Sequence, residues 1–261
     1  MVKALFEFRN YIVSNAVGEL KYRFAGSSLG FFWNIINPIL QIMVYTFVFS
    51  DIMRARMENI NSTGGFSLYL CAGMFAWIAF NECLVRGANT FVECSSFLKK
   101  LSVPEYVFVA QKTLSSFFCV LINYAIIFVY SIIITGRVTF LWLWVPLILF
   151  LLLVFGFGLA LLLATVNVFF QDTVQIINVL MMIWMWTTPI VYVKDILPEK
   201  FEQLLKFNPV YPFISSLQEI IVFGGAINML SLVKMLMLAL CSMLIGYLFT
   251  KRNIAEIRDL I

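Results

Sequence analysis

Histidine is absent from the 261 residues, which removes imidazole triads, His metal sites and imidazole proton relays. Charge is scarce: Asp, Glu, Lys and Arg make up 12% of the chain, about half the share of an ordinary soluble domain. The balance of 18 Lys and Arg against 14 Asp and Glu, a net +4, is too weak and too scattered for a phosphate-tracking groove, so no nucleic-acid partner is expected. No G-x-x-x-x-G-K-S/T run occurs, so the chain carries no P-loop of its own. Cysteine is sparse too: Cys71, Cys83, Cys94, Cys119 and Cys241 form no C-x-x-C pair and read as small buried hydrophobes. The apolar runs hold almost no carboxylates, which argues against an ion-coupled carrier and against a cation channel with an acidic ring. The opening MVKALFEFRN interleaves charges with apolar residues and gives no removable signal peptide.

What is abundant is grease. Hydrophobic types reach 62%, aromatics 16%, and the mean hydropathy is +0.95. A soluble fold of that composition would expose large apolar patches, so the chain reads as an integral membrane protein. The expected fold class is an all-α membrane protein, a single transmembrane domain over 1–261. Charge-free stretches mark six crossings at residues 31–50, 66–86, 106–134, 141–166, 174–193 and 229–249. Lys234, one turn inside the last, can snorkel to the outer interface.

Six crossings place both termini on one side. With that side cytosolic, Lys3, Arg9, Lys21, Arg23, Arg86, Lys99, Lys100, Lys112, Lys251, Arg252 and Arg258 lie inside, against seven basic residues outside. The bias favours cytoplasmic termini. Residues 1–22 read as an interfacial helix, with Lys3, Glu7, Asn10, Ser14 and Gly18 on one face and Phe6, Val13, Val17 and Leu20 on another. Residues 87–105 form the main inner loop, with a short helix expected near Asn89–Leu101. Residues 194–228 form the outer loop, whose apolar stretch FISSLQEIIVFGG is too short to span and reads as re-entrant. Glu82 and Arg86, four residues apart, suit an ion pair at the inner end of the second span. No internal repeat is visible, which gives an inverted-repeat transporter little support.

The segment KYRFAGSSLGFFWNIINPILQIMVYTFVF, residues 21–49, resembles the membrane subunit of ABC-2 type polysaccharide exporters. The match rests on Lys21, Tyr22 and Arg23, then Gly26, Ser27, Leu29, Gly30, Trp33 and Pro38, then Tyr45-Thr46-Phe47-Val48-Phe49. Phe24 and Ala25 separate Arg23 from the Gly-Ser pair, where many members place the basic residue directly before it. The inner loop ending in Ser102-Val103-Pro104 and the outer region with Asn208-Pro209 also look like the family, and the resemblance covers essentially the whole chain. Within the family the sequence looks most like O-antigen exporter permeases of a Gram-negative inner membrane.

That resemblance implies a homodimer with a pore along its axis and two copies of a separate ABC ATPase subunit docked from the cytosol. ATP and Mg would bind the partner, with no cofactor or metal on this chain and no enzyme activity of its own. The cargo implied is undecaprenyl-pyrophosphate-linked polysaccharide, with capsule, teichoic acid or a drug or lipid as alternative cargoes. A membrane enzyme acting on lipid-linked sugars is the rival from another class, for which the chain offers poor acid–base material. Residues 89–101 would be the ATPase-coupling helix, with Glu93, Phe97, Lys99 and Lys100 as contacts; a solvated loop helix accounts for the same pattern. Lys21 and Arg23 would meet the lipid pyrophosphate at the inner leaflet, where ordinary positive-inside anchoring is the competing account. Tyr45, Phe75, Trp184, Trp186, Tyr192 and Tyr211 would line a glycan path, since sugar C–H faces stack on rings. Trp184 and Trp186 are about 200° apart on a helix and cannot both face one lumen.

Overall fold

The computed structural model describes residues 1–23, 26–52, 64–100, 103–193, 198, 200 and 204–260, with side chains throughout except at 50–52. The rest of the outer loop around 194–203 and the end of the inner loop at 101–102 lie outside the described residues. All regular structure among the described residues is helical. The order is α1 (Val2–Glu7), α2 (Arg9–Tyr22), α3 (Trp33–Thr46), α4 (Gly65–Glu93), α5 (Ser95–Lys100), α6 (Glu105–Thr135), α7 (Trp144–Phe169), α8 (Thr173–Thr187), α9 (Tyr211–Gln218), α10 (Met229–Arg252) and α11 (Ile254–Leu260). Short 3-10 turns lead into α3 and α7, and π-helical turns extend α3 through Ile52 and α9 through Phe223.

Among the described residues, five helices are long and apolar enough to cross a membrane: Gly30–Phe49, Gly65–Glu93, Glu105–Thr135, Phe140–Phe169 and Met229–Arg252. These coincide with five of the six expected crossings. The remaining one, expected at 174–193, is the 15-residue α8, followed by non-helical chain to Val193. Fifteen helical residues rise only about 22 Å, short of a hydrocarbon core of about 30 Å.

The centre of the bundle is the pair α4 and α7. Their spans are 72% and 67% buried, against 17–22% for α3, α6 and α10, which present most of their surface outward. Small residues make this possible. On α4, Gly73 lets Gln218, Ile190 and Ile214 approach and Gly87 lets Ala160 of α7 approach, while Trp77 and Phe80 pack against Trp184 and Phe155. At Gly158 and Gly246 the backbones of α7 and α10 touch, so a Cβ at either would overlap main-chain atoms of the other helix. The apolar stretch expected to be re-entrant is helical from Tyr211 to Phe223. Its Phe213, Ile214, Leu217, Ile220, Ile221 and Val222 are buried in the core, and Gly224 ends it with a left-handed φ of 66°.

The N-terminal segment departs from the expected pattern. It breaks at Phe8 into two helices, and the stripe packed inward is Ile12, Ala16 and Leu20, spaced i, i+4, i+8 against α6. Phe6, Val13 and Val17, grouped with Leu20 in the sequence reading, face away from the bundle. The cause is the i+4 period: Leu20 shares a face with Ala16 and Ile12, and Val13 and Val17 lie one residue round the helix.

Candidate functional site

A hydrocarbon core of about 30 Å accommodates about 20 helical residues. Counted along α4 from Gly65, that length ends near Leu84; counted along α6 back from Thr135, it ends near Ser116. Both helices therefore overrun the core at one end, the one expected from the sequence to face the cytosol and hereafter called the inner end. Every ion pair of the described residues lies there.

Five of these pairs form one alternating chain through α2, α4 and α6. Arg23 Nη2 stands 3.1 Å from Glu82 Oε2, and Glu82 Oε1 stands 2.6 Å from Arg86 Nη1. Arg86 Nη2 also donates to Glu19 Oε1, and Lys112 Nζ donates to the same oxygen at 2.9 Å. Lys112 then reaches Glu93 at 3.4 Å. Three cations and three anions cancel. The four middle groups expose 15–25% of their side chains, while Arg23 and Glu93 at the ends expose 33% and 52%. The expected Glu82–Arg86 pair is present. Glu19, which joins it to Lys112, was not among the residues singled out from the sequence, because its partners lie 67 and 93 positions away.

Arg23 is set in this chain by the hinge between α2 and α3. Gly26 and Gly30 between the two helices adopt φ of 89° and 44°, a left-handed region that side chains disfavour. Ser27 Oγ accepts from the Trp33 indole at 2.9 Å, and the buried Asn34 amide donates to the carbonyls of Phe31 and Leu20. Gly26, Ser27, Gly30 and Trp33 of the sequence motif are thus the hinge's own fastenings. Lys21 beside it is exposed.

The inner loop is shorter than expected, because α4 runs on to Glu93, past the expected end at 86. The turn at Cys94 then gives α5, with Leu98 buried and Phe97, Lys99 and Lys100 exposed. Burial pushes the Cys94 thiol up, with nearby Lys112 opposing. The C-terminal α11 packs beside α5. Arg258 Nε and Nη2 both reach Glu105 Oε1 at 2.7 Å, and Glu105 is 1% exposed. Leu98, Lys99, Glu105, Ile257 and Arg258 line a crevice of about 230 Å³, below the usual range for small-molecule sites.

The six rings read as a glycan path do not come together. Phe75 is 1% exposed and packed in the core, where it presents no ring to a lumen. Trp184 also points inward, edge-on to Trp77 and Phe80, with its indole N–H donating to Asn208 Oδ1 at 3.0 Å. Asn208 in turn donates to Thr188 Oγ1 at 2.8 Å, which ties the outer loop to the end of α8. Trp186 is 59% exposed on the opposite side of α8, and the half-buried Tyr192 donates to its carbonyl. Tyr45 on α3 and Tyr211 at the start of α9 are each half-buried.

Comparison with known proteins agrees with this architecture. The chain is 30% identical over 210 residues to an O-antigen export system permease protein RfbA of Klebsiella pneumoniae, covering 79% of this chain and 78% of that one. It is 26% identical over 222 residues to an O-antigen export system permease protein RfbA of Myxococcus xanthus, covering 84% and 83% respectively. Residues 11–222, from the packed face of α2 to the end of the buried outer helix, match the ABC-2 type transporter family, and the chain belongs to that family.

Proposed function

We propose that the chain is the membrane-spanning subunit of an ATP-driven exporter that moves undecaprenyl-pyrophosphate-linked O-antigen polysaccharide across the inner membrane. The observation that carries the reading is the match to O-antigen export permeases along about four-fifths of the chain. The geometry supports it in three places. Lys21 and Arg23 stand at the inner boundary of the hydrocarbon core, where a lipid pyrophosphate travels. Glu93, Phe97, Lys99 and Lys100 project from the inner end beside α5, as contacts for a nucleotide-hydrolysing partner require. The exposed Trp186, with Tyr45, Tyr192 and Tyr211, offers rings to a passing glycan, while Phe75 and Trp184 hold the bundle together.

Two copies of the chain assemble with two ATPase subunits, and α8 with residues 188–193 completes a sixth crossing. Each acid of the charge chain at the inner end is paired with a base, and the driving force comes from the partner. ATP-dependent uptake of labelled lipid-linked glycan into inside-out membrane vesicles tests this. Neutralising Lys21 and Arg23 together lowers uptake by about tenfold or more while the membrane level of the chain stays unchanged, as expected for two charge-assisted phosphate contacts. Uptake that needs no ATP, or that follows a pH gradient, overturns the reading.

A further inference from the structure

We propose that Glu82 is a resident anion that guards Arg23, so that the headgroup site admits a dianionic diphosphate and rejects monoanionic phospholipid. The inference rests on the reading of Arg23 as a headgroup contact. An arginine fork at the inner boundary meets a large excess of ordinary phosphodiester lipids, each with one negative charge. An unguarded Arg23 would bind them, because guanidinium pairs with any phosphate oxygen.

In the structure the fork is already engaged. Its Nη2 is 3.1 Å from Glu82 Oε2, and its Nη1 donates to the weak acceptor Cys119 Sγ at 3.4 Å. Displacing Glu82 by a phosphodiester exchanges one negative charge for one and gains nothing electrostatically. A lipid-linked diphosphate carries one ionised oxygen on each phosphorus and bridges the Arg23 fork and the exposed Lys21 together. Only the doubly charged ligand gains from the exchange.

The exchange is feasible because Glu82 does not become an orphan when Arg23 leaves. Its other oxygen is held at 2.6 Å by Arg86, which Glu19 anchors, and Lys112 anchors Glu19. A part-buried carboxylate stripped of all its partners would be costly; one that keeps the part-buried Arg86 guanidinium is not. Glu19, Arg86 and Lys112 thus position the guard, and Glu82 sets the threshold that a headgroup must exceed.

Native mass spectrometry of the purified chain with equimolar dioleoylphosphatidylglycerol and a glycosylated undecaprenyl diphosphate reads the selectivity. Wild type retains the diphosphate lipid. Glu82→Gln shifts the bound ratio toward phosphatidylglycerol by about tenfold, the size expected when one charged hydrogen bond is lost. Glu82→Asp, which keeps the charge, holds the wild-type ratio, and Arg23→Ala loses the diphosphate lipid. An unchanged ratio in Glu82→Gln alongside that loss overturns the guard and leaves the headgroup contact standing. Diphosphate lipid retained by Arg23→Ala overturns the headgroup contact itself. Where Glu82→Gln yields no folded protein, wild type decides: a large excess of phosphatidylglycerol leaves the diphosphate lipid bound, and its displacement sinks the guard.

Discussion

Glu105 begins α6 with its carboxylate almost wholly out of water, a position that the positive end of the helix favours and burial opposes. The half-exposed Arg258 answers it with two donors on one oxygen. Arg258→Ala leaves that buried acid without its partner and costs about 1–3 kcal/mol locally. Glu105→Gln costs less, since no charge is stranded, and the double variant costs less than the two singles added because they share one interaction. The effect is felt at α5, whose Leu98 shares the crevice with Ile257 and Arg258. Limited trypsin digestion checks it: cleavage after Lys99 and Lys100 accelerates in Arg258→Ala and returns toward the wild-type rate when Glu105→Gln is added.

At the scale of elements, α7 and α10 meet through glycine. Gly246→Ala drives a methyl into the Gly158 carbonyl, and the helices must separate along a stretch where they share their closest packing. Overpacking of this kind costs about 1–3 kcal/mol. Gly18→Ala in α2, where a Cβ meets nothing within 4 Å, is the control and is neutral or stabilising. Thermal unfolding in detergent, followed by loss of the monodisperse peak, separates the two. Five spans were legible in the sequence, because long apolar runs bounded by charge need only counting. The charge chain was not. Glu82 and Arg86 are one turn apart and announce themselves, but Glu19 meets Arg86 and Lys112 only after three helices have packed. The ring assignments were only partly legible for a similar reason. Composition gives the number of aromatics, and the rotation of each helix decides that Trp186 faces out and Phe75 in.

For the whole molecule, the contacts of α6 bear on the proposed sixth crossing. Lys112 pairs with Glu19 of the N-terminal α2, and Glu105, seven residues earlier on α6, pairs with Arg258 of the C-terminal α11. Seven residues are about 10 Å of helix rise, a third of the hydrocarbon thickness. Tyr11 of α2 is also edge-on to Phe108, and Tyr106 is edge-on to Tyr247 of α10. α2 and α11 therefore lie at the same end of the bundle, as an even number of crossings would place them. The proposed sixth crossing accounts for this: the 15-residue α8 and the residues after it, fastened by Thr188 and Asn208, would return the chain to that end. Single cysteines placed in a background without the five native ones report this directly. Ser14→Cys in α2 and Glu256→Cys in α11 react with an impermeant maleimide only from the cytosolic face, and Thr139→Cys between α6 and α7 reacts only from the opposite face. Labelling of positions 14 and 256 from different faces would require an odd number of crossings and would break the pairing of both termini with α6.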